Sequence, residues 1–403
     1  MRLLLALDKF KDSLGAIRAC EVVTETLRKE SPDWQVDLCP LTDGGDGFAS
    51  ILSRSSGGRM EKVMVAGPRH QPTSAEIGWV QWAKVPAGAR ARLTSLSMSE
   101  TDRVALVEMA SASGLSLLQE NERDPWQADS RGTGQLLQNA AAQGAKAILL
   151  GLGGSATNDL GLGALGALGL EAMDTNGQIL EPFAPAQWGR IRSLGGKISP
   201  TFPPLFLACD VTNPLLGPEG AAAMYGPQKG LRREDVARMD LASRQMAKML
   251  TQLGGQSFSL TEAPGAGAAG GSAFGLLSFA GGRMISGGEL VSDWLNLSAR
   301  IKDADLVFTG EGRLDRTSLQ GKGPGLVIGK ALEMGKKVHV FTGAAEPGLM
   351  IPCGVEVHVI SPSHVPIAEA LSQAERYLQE SVSLAFANGG LEKEASFSRR
   401  QKS

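Results

Sequence analysis

Short runs of Val, Ile and Leu recur along the chain, and most of them are followed at once by Gly or Asp and then by a helical pattern. A continuous apolar run is typical of a strand covered on both faces, as in a parallel sheet. Strands that alternate with helices predict an α/β fold with mostly parallel sheets. The runs are RLLLAL (2–7), VALVEMA (104–110), AKAILLG (145–151), PLFLACD (204–210), ADLVFTG (304–310), VHVFTG (338–343) and VEVHVI (355–360).

Two segments between these runs have apolar residues at helical spacing, which predicts amphipathic helices. The first contains Ile17, Cys20, Val23 and Leu27, and the second contains Met239, Leu241, Met246, Met249 and Leu253. Residues 63–82, VMVAGPRHQPTSAEIGWVQW, alternate instead like an antiparallel hairpin at a sheet edge. The polar stretch 388–403 predicts a frayed tail.

Charge and length limit the classes of function. The net charge of -2 gives no basic excess, so neither a nucleic acid nor a membrane surface is expected as a partner. A small soluble ligand is expected instead. No apolar run approaches the length of a membrane span, and RLLLAL is too short for a signal-peptide core, which predicts a cytoplasmic protein. The scattered cysteines indicate reduced core thiols and no zinc site, and they are Cys20, Cys39, Cys209 and Cys353.

The first strand-to-helix turn, LDKFKDSL (7–14), combines an acid with a cation and a hydroxyl group. Asp8 ends the strand, and Lys11 and Ser13 are expected at the start of the following helix. Cations placed beside N-terminal amides make an anion site. The alternative is that Asp12 or Ser13 merely caps the helix.

The second turn, PLTDGGDGF (40–48), sets two carboxylates among three glycines. Carboxylate oxygens so placed, on Asp43 and Asp46, suit a magnesium ion or a substrate hydroxyl. A solvated turn could have the same composition.

The third turn, GLGGSATND (151–159), has two adjacent glycines that let backbone N–H groups approach a ligand. This pattern predicts a phosphate cradle, although it lacks the spacing of a Walker P-loop. Its candidate phosphate-binding residues are Gly153, Gly154, Ser155, Thr157, Asn158 and Asp159.

The segment GAGAAGG (265–271) satisfies the GxGxxG pattern of dinucleotide-binding proteins. That fingerprint normally opens a clear βαβ unit, whereas this match follows the broken segment TEAPGAG. Close packing or contact with a different ligand is therefore favoured over NAD binding.

Two further turns carry charged residues after strands. CDVTNPLLGPEGAAAMYGPQKG (209–230) places Asp210 at a strand end, where ligands bind in α/β proteins, although Asp210 could instead cap the turn that follows it. TGEGRLDRTSLQGKG (309–323) follows the strand DLVF and favours a functional loop over a set of surface salt bridges. Its charged residues are Glu311, Arg313, Asp315 and Lys322.

Taken in order, these motifs resemble those of the glycerate kinase type 1 family, the bacterial ATP-dependent enzymes that phosphorylate D-glycerate. The resemblance covers residues 1–385 and is carried by DKFKDSL, DGGDG, EMASASGLSLL, GGSATND, CDVTNPLLGPEGAAAMYGPQKG, GAGAAGG and TGEGRLD…QGK. It implies two α/β domains flanking an active-site cleft, one of them Rossmann-like and discontinuous. It also implies ATP and Mg²⁺ as cofactors and 2-phosphoglycerate as the product.

With this resemblance, residues 1–65 and 288–385 are assigned to the Rossmann-like domain, 66–287 to the second α/β domain and 386–403 to a polar tail. Assembly of identical chains is left open. Several motifs depart from the family pattern: Lys9 replaces a small hydroxyl residue, Asp12 replaces glycine, and Asp46 stands where Glu is usual. Another small hydroxy acid such as tartronate, or an inactive ligand-binding homologue, is the alternative.

Residue type and position then predict roles. Asp210 is the expected base for the attacking hydroxyl, with Asp43 as the competing candidate. Lys11 and Lys229 are expected to meet the substrate carboxylate or the transferred phosphoryl group. Further substrate contacts are assigned to Asp8, Ser13 and Asn213, phosphate contacts to the GGSATND residues and Lys322, and Mg²⁺ to Glu311 and Asp315.

Overall fold

The computed structural model describes residues 1–93, 97–316, 318–319 and 323–387. The described chain is a mixed α/β structure, which confirms the predicted fold class. Its contacts divide it into two compact units, and the chain leaves the first unit and later returns to it. Unit 1 comprises residues 1–42 and the described part of 291–403, and unit 2 comprises residues 43–290.

Strands and helices are numbered along the chain. The strands are β1 (Arg2–Leu7), β2 (Gln35–Leu38), β3 (Arg59–Ala66), β4 (Pro72–Gln81), β5 (Arg103–Glu108), β6 (Ala147–Gly151), β7 (Leu170–Met173), β8 (Ser193–Gly196), β9 (Leu205–Ala208), β10 (Arg283–Ile285), β11 (Leu306–Leu314), β12 (Lys337–Ala345) and β13 (Val355–Val359). The helices are α1 (Ala16–Glu30), α2 (Phe48–Ser55), α3 (Ala87–Arg92), α4 (Met109–Ser113), α5 (Arg131–Ala142), α6 (Leu162–Ala167), α7 (Ala221–Tyr225), α8 (Val236–Leu253), α9 (Ser272–Phe279), α10 (Gly287–Trp294), α11 (Leu297–Asp303), α12 (Pro324–Glu333), α13 (Ile367–Ser372) and α14 (Ala374–Ala387).

The described sheet of unit 1 has the order β2, β1, β11, β12, β13, and all its strand pairs are parallel. From β1 the chain moves outward to β2, whereas from β11 it moves the opposite way to β12 and β13. The order therefore reverses between β1 and β11. In open α/β sheets, ligands bind outside the carboxyl ends of the strands at such a reversal.

The core of unit 1 explains its sequence pattern. Leu3, Leu5 and Leu7 of β1 are buried with Phe308, Phe341 and the apolar sides of α1 and α14. Cys20, Val23 and Leu27 of α1 are all buried, as their spacing predicts. The helix α14 extends to Ala387 with Phe386 buried, so the ordered fold continues past the predicted start of the tail at residue 386. Residues 388–403 lie outside the described part.

The larger described sheet of unit 2 has the order β3, β4, β5, β6, β9, β10. The strand pairs from β5 to β10 are parallel, and the pairs β3–β4 and β4–β5 are antiparallel. The antiparallel hairpin predicted for residues 63–82 is confirmed, with β3 at the sheet edge. A small antiparallel pair, β7 and β8, lies outside this sheet.

Several boundaries differ from the sequence prediction. Residues 43–65, which were assigned to the Rossmann-like domain, group with unit 2, where β3 pairs with β4 and α2 packs on β4 and β5. The strand β11 continues to Leu314 because it pairs with β12 well beyond DLVF. Leu241 and Cys353 are exposed, so neither belongs to the core as expected. No helix in the described residues is long and apolar enough to cross a membrane.

Candidate functional site

The parallel strands β5, β6, β9 and β10 of unit 2 end at one edge of the sheet, and a polar or glycine-rich segment follows each of them. We call this the carboxyl edge of unit 2. Side chains at such an edge are available to a ligand because the helices and loops that follow the strands leave a crevice there.

The DGGDG loop (43–47) lies against this edge through its glycines. A Cβ atom on Gly44 would stand 2.8 Å from the carbonyl oxygen of Ala208, and one on Gly151 would stand 2.3 Å from the Gly44 carbonyl oxygen. The amide of Gly153 donates a hydrogen bond of 3.0 Å to that same Gly44 oxygen. Larger residues would therefore push the loop away from the ends of β6 and β9.

Gly154 connects the two predicted motifs. It has φ +74, and a Cβ atom there would lie 3.0 Å from Ala110 Cβ and 3.2 Å from Asp46 Oδ1. The acidic turn and the candidate phosphate cradle are thus brought together, although they are more than 100 residues apart in sequence. Gly154 and Asp46 are both exposed.

Asp210, the predicted base, is half-buried at the end of β9. Its Oδ1 accepts a hydrogen bond of 2.8 Å from Ser286 Oγ, and its Oδ2 accepts one of 2.6 Å from the amide of Gly288. These donors lie after β10, at the start of α10, and not in the turn that follows Asp210. The competing candidate Asp43 is exposed and accepts a hydrogen bond of 3.2 Å from the Gly45 amide.

The Asn213 side chain makes two hydrogen bonds within its own segment, residues 209–230. Its Nδ2 donates to the carbonyl oxygen of Glu219 at 2.9 Å, and its Oδ1 accepts from the Tyr225 hydroxyl at 2.5 Å. Burial raises the pKa of Tyr225 to about 12, so this hydroxyl remains a donor at neutral pH.

Lys229 is buried, with 3% of its surface exposed. Its ammonium group donates to Ser155 Oγ at 2.8 Å and to the carbonyl oxygen of Thr157 at 2.7 Å. Burial lowers the pKa of Lys229 to about 7, against the opposing effect of the nearby Asp159 charge. The Lys229 ammonium group is therefore buried on the interior side of the GGSATND loop, and its two hydrogen bonds stabilise the conformation of that loop.

Thr157 and Asn158 are also fully buried. Among the residues that the structure describes, neither the Thr157 hydroxyl nor either polar atom of the Asn158 side chain has a hydrogen-bond partner. The GAGAAGG segment packs on them: a Cβ atom on Gly270 would stand 2.0 Å from the Thr157 carbonyl oxygen. Its glycines serve close packing, one of the two roles favoured over NAD binding.

Asp159 has a buried carboxylate surrounded by donors. It accepts hydrogen bonds from the amide and hydroxyl of Ser130 at 2.8 and 2.7 Å and from the amides of Gly161 and Gly163 at 3.1 and 3.0 Å. These contacts fix the start of α6. Burial and the Asp159 charge raise the pKa of the neighbouring Asp129 to about 6.

In unit 1, the candidate residues collect at the reversal between β1 and β11. Asp8 follows β1, and its Oδ1 accepts a hydrogen bond of 2.7 Å from the Lys9 amide. A Cβ atom on Gly312 would stand 2.8 Å from the Lys11 amide nitrogen, and one on Gly323 would stand 2.8 Å from Asp8 Oδ2. Gly312 within β11 and Gly323 after it thus let the loop that follows β1 lie close to both.

Lys11 and Ser13 are exposed on a tight turn before α1. The Ser13 hydroxyl donates to the Phe10 carbonyl oxygen at 3.0 Å, and α1 begins at Ala16 without a side-chain cap. The capping alternative for Asp12 or Ser13 is therefore wrong. Asp12 has φ +60, a left-handed conformation that glycine adopts without strain.

Glu311 and Asp315 are both half-buried. Glu311 lies within β11 opposite Thr342 of β12, and Asp315 follows the strand. Asp315 Oδ1 accepts hydrogen bonds from the Ser318 amide and hydroxyl at 3.0 and 3.3 Å. The predicted phosphate-binding Lys322 lies outside the described residues.

The sequence reasoning missed three contributors to the unit 2 site. Ser286 and Gly288 hold Asp210, and Glu108 Oε2 at the end of β5 accepts a hydrogen bond of 3.2 Å from the Ala49 amide in α2. The segment RMISGG (283–288) could have revealed the first two, because it repeats the pattern of a short apolar run followed by Ser and Gly.

Comparisons with known proteins give one consistent result. Residues 3–387 match the model of the glycerate kinase family. The chain is 34% identical to a glycerate kinase of Halalkalibacterium halodurans, over 94% of this chain and 95% of that protein. It is 36% identical to a glycerate 2-kinase of Escherichia coli, over 84% of this chain and 83% of that protein. A crystal structure from Salmonella typhimurium LT2, provisionally named glycerate kinase 2, matches 98% of this chain and 99% of its own with a TM-score of 0.72 and 32% identity.

Proposed function

The chain belongs to the glycerate kinase family, and on that premise we propose that it transfers the γ-phosphoryl group of ATP to D-glycerate, releasing 2-phosphoglycerate and ADP. The two relatives described above are named glycerate kinase and glycerate 2-kinase, and the carboxyl edge of unit 2 offers groups suited to glycerate phosphorylation.

One observation carries the proposal: a single glycine loop brings two carboxylates beside a third, Asp210, at the ends of the strands. The DGGDG loop supplies Asp43 and Asp46. It contacts Gly153 at the end of β6, and a Cβ atom on Gly287 would stand 2.6 Å from the Asp43 carbonyl oxygen and 3.2 Å from Asp210 Oδ2. Phosphoryl transfer requires positioning, neutralisation of phosphate charge and a carboxylate that orients the nucleophile. The carboxyl edge of unit 2 offers groups for positioning and a carboxylate to orient the nucleophile.

The chemical step assigned to Asp210 is deprotonation of the attacking hydroxyl. The glycerate oxygen forms a bond to the γ-phosphorus, the bond from that phosphorus to the β–γ bridging oxygen breaks, and ADP leaves with the electron pair. The hydroxyl proton goes to the Asp210 carboxylate. Ser286 and Gly288 fix the orientation of that carboxylate through their hydrogen bonds.

Phosphate oxygens are assigned to the backbone at Gly153 and Gly154, the accessible residues of the GGSATND loop. Gly153 and Gly154 lack the Cβ atoms that would block a close approach, and Ser155 is held by Lys229 below it. Asp159 has four donors of its own and is better suited to fixing α6 than to meeting phosphate.

In unit 1, Lys11 and Ser13 are assigned to anionic groups of the substrates, with Asp8 as a hydrogen-bond acceptor for a hydroxyl. Mg²⁺ requires oxygen ligands, and Glu311 and Asp315 supply carboxylates at the carboxyl end of β11, so these residues fit the ion. When bound, Mg²⁺ would neutralise phosphate charge.

A coupled assay for ADP release tests the proposal. We expect release with ATP, Mg²⁺ and D-glycerate that exceeds release with L-glycerate, tartronate or glycolate. No increase over the rate without any acceptor would refute the kinase activity, and a faster rate with tartronate would reassign the substrate.

The position of the new phosphate is read by proton-coupled ³¹P NMR of the product. A phosphate on carbon 2 is split by one proton into a doublet, whereas a phosphate on carbon 3 is split by two protons into a triplet. We expect the doublet.

A further inference from the structure

Two histidines and a glutamate lie together on one face of the unit 1 sheet, at its β13 edge. His339 of β12 is opposite Glu356 of β13 in the parallel register, and His358 follows two residues later on the same face as Glu356. No part of the proposed phosphoryl transfer uses these side chains. Metal ligands in proteins are drawn from these residue types.

Their ligand atoms converge. His339 Nδ1 is 2.9 Å from His358 Nε2, while the two Glu356 oxygens are 3.8 Å from His339 Nδ1 and 3.7 Å from His358 Nε2. All three ligand atoms lie within 4.8 Å of one another. A tetrahedral ion bound about 2.1 Å from each ligand separates the ligand atoms by about 3.4 Å. Movements of less than about 1 Å therefore convert this cluster into a coordination site.

The surrounding rings restrict the histidines. The His358 ring stacks on His339 with centroids 5.2 Å apart and on Phe341 with centroids 4.7 Å apart. His339 also contacts Phe308, with centroids 5.4 Å apart. Ligands already held in place by packing lose little freedom when a metal binds.

Burial gives the cluster one closed and one open side. The His339 side chain is 3% exposed and that of His358 is 15% exposed, whereas the Glu356 side chain is 62% exposed. An ion can enter past Glu356 and keep water on its outer side. The carboxylate also supplies a negative charge that two neutral imidazoles lack.

We propose that His339, Glu356 and His358 form a binding site for a divalent transition-metal ion of the Zn²⁺ class, which links the edge strand β13 to β12. Two imidazole nitrogens and one carboxylate favour Zn²⁺, Ni²⁺ or Co²⁺ over Mg²⁺, which prefers oxygen ligands. Binding requires both facing nitrogens to present lone pairs, so the proton now shared between His339 and His358 moves to a far ring nitrogen or to solvent.

The proposal is tested on the full chain after treatment with a chelator, by calorimetric titration with Zn²⁺ and, separately, with Mg²⁺. We expect one Zn²⁺ ion per chain, a rise in Tm with Zn²⁺, and no competition from Mg²⁺. Co²⁺ provides a spectroscopic probe, since a four-coordinate site gives strong visible absorption. Absence of Zn²⁺ binding would overturn the proposal, whatever the outcome of the glycerate assay.

Variants locate the site. Removing a ligand in His358→Asn should weaken Zn²⁺ binding by at least about 100-fold, more than the loss of a residue that only orients a ligand. Glu356→Gln changes an exposed side chain, so it should fold normally and still weaken binding. His364→Asn removes an exposed histidine elsewhere, and Cys353→Ser removes a nearby exposed thiol. Unchanged Zn²⁺ affinity in both ligand variants, or loss in either control, would overturn the assignment.

Discussion

The hydroxyl of Ser286 donates a hydrogen bond of 2.8 Å to the carboxylate of Asp210 across two neighbouring parallel strands, β10 and β9. The Gly288 amide completes the contact from the start of α10. Both oxygens of Asp210 are thus oriented by groups that are more than 70 residues away in sequence. In this arrangement Asp210 is the proposed proton acceptor, and Ser286 orients the Asp210 carboxylate.

The first prediction concerns the proton acceptor. Asp210→Asn keeps the shape but removes the charge that accepts the hydroxyl proton, so kcat should fall by about 10²- to 10⁴-fold. The KM for ATP should change little. Asp240→Asn is the matched control, because Asp240 is half-buried and accepts a hydrogen bond from Gly217 of the same loop. Near-normal turnover in Asp210→Asn would move the role of the base to Asp43.

The second prediction concerns Ser286 as a positioning residue. Ser286→Ala should lower kcat by about ten- to a hundredfold, because a misplaced catalytic group reacts less often, with the KM for both substrates unchanged. Ser286→Thr retains the hydroxyl and should restore most of the rate. A fall in Tm for Ser286→Ala with unchanged kcat would show that the contact only stabilises the fold.

The third prediction compares two glycines of positive φ. Gly154→Ala and Gly144→Ala both force a side chain into the left-handed region, at a cost of about 1 kcal/mol each. At Gly144 the added Cβ meets nothing within 4 Å, whereas at Gly154 it meets Ala110 and Asp46. We therefore expect a somewhat larger loss of stability in Gly154→Ala than in Gly144→Ala, and a KM for ATP raised about tenfold only in Gly154→Ala. Equal KM values in the two variants would contradict the role of Gly154 in a phosphate cradle.

The fourth prediction follows from the buried lysine. The pKa of Lys229 is lowered by burial from 10.5 to about 7. Between these values the unfolded chain holds a proton that the folded chain has lost, so this group makes stability rise with pH, by up to about 1.4 kcal/mol per pH unit. Below pH 7 both states are protonated, and the contribution stops changing.

Chemical denaturation of the wild type and Lys229→Met between pH 6 and 10 measures this effect. The difference between the two free energies of unfolding should stay level up to about pH 7 and then change in favour of the wild type. Other titrating groups cancel in the difference. A difference that is constant over the whole range would show that Lys229 remains charged when buried.

The fifth prediction separates a structural acid from a phosphate contact. Asp159→Asn removes a buried charge that accepts four hydrogen bonds, so it should destabilise the protein by about 2–4 kcal/mol while the KM for ATP stays normal. Asp174→Asn is the control, since Asp174 accepts two backbone amides in a solvent-exposed turn. An increased KM with unchanged Tm would return Asp159 to the phosphate site.

The positions of the principal strands along the chain, and the mostly parallel character of the sheets, could be predicted from the sequence. Every apolar run that was predicted as a strand contains one. Most of these strands are buried on both faces and carry a continuous apolar signature, whereas the edge strand β13 is partly exposed and was still recognised from its run of Val and Ile. The strands β2, β7, β8 and β10 were not predicted, since β2 is largely exposed and the other three have only three or four residues each.

The candidate site was also predicted only in part. The sequence identified Asp210, Asp43 and the glycine loops, because turn residues after strands are local features. It assigned Lys229 to the substrate, whereas the structure buries this side chain beneath the GGSATND loop. The environment of a long side chain depends on which distant segments cover it, and composition does not specify that.

The sequence by itself determined the α/β class, the strand ends at which polar groups collect and the family to which the motifs belong. These follow from local patterns: apolar runs, helical spacing and glycines that permit close turns. Only the tertiary structure decided that Ser286 holds Asp210, that Asp159 fixes α6 and that His339 meets Glu356 and His358. Each of these contacts depends on the register of neighbouring strands or the burial of a loop, which long-range packing sets and nearby residues do not encode.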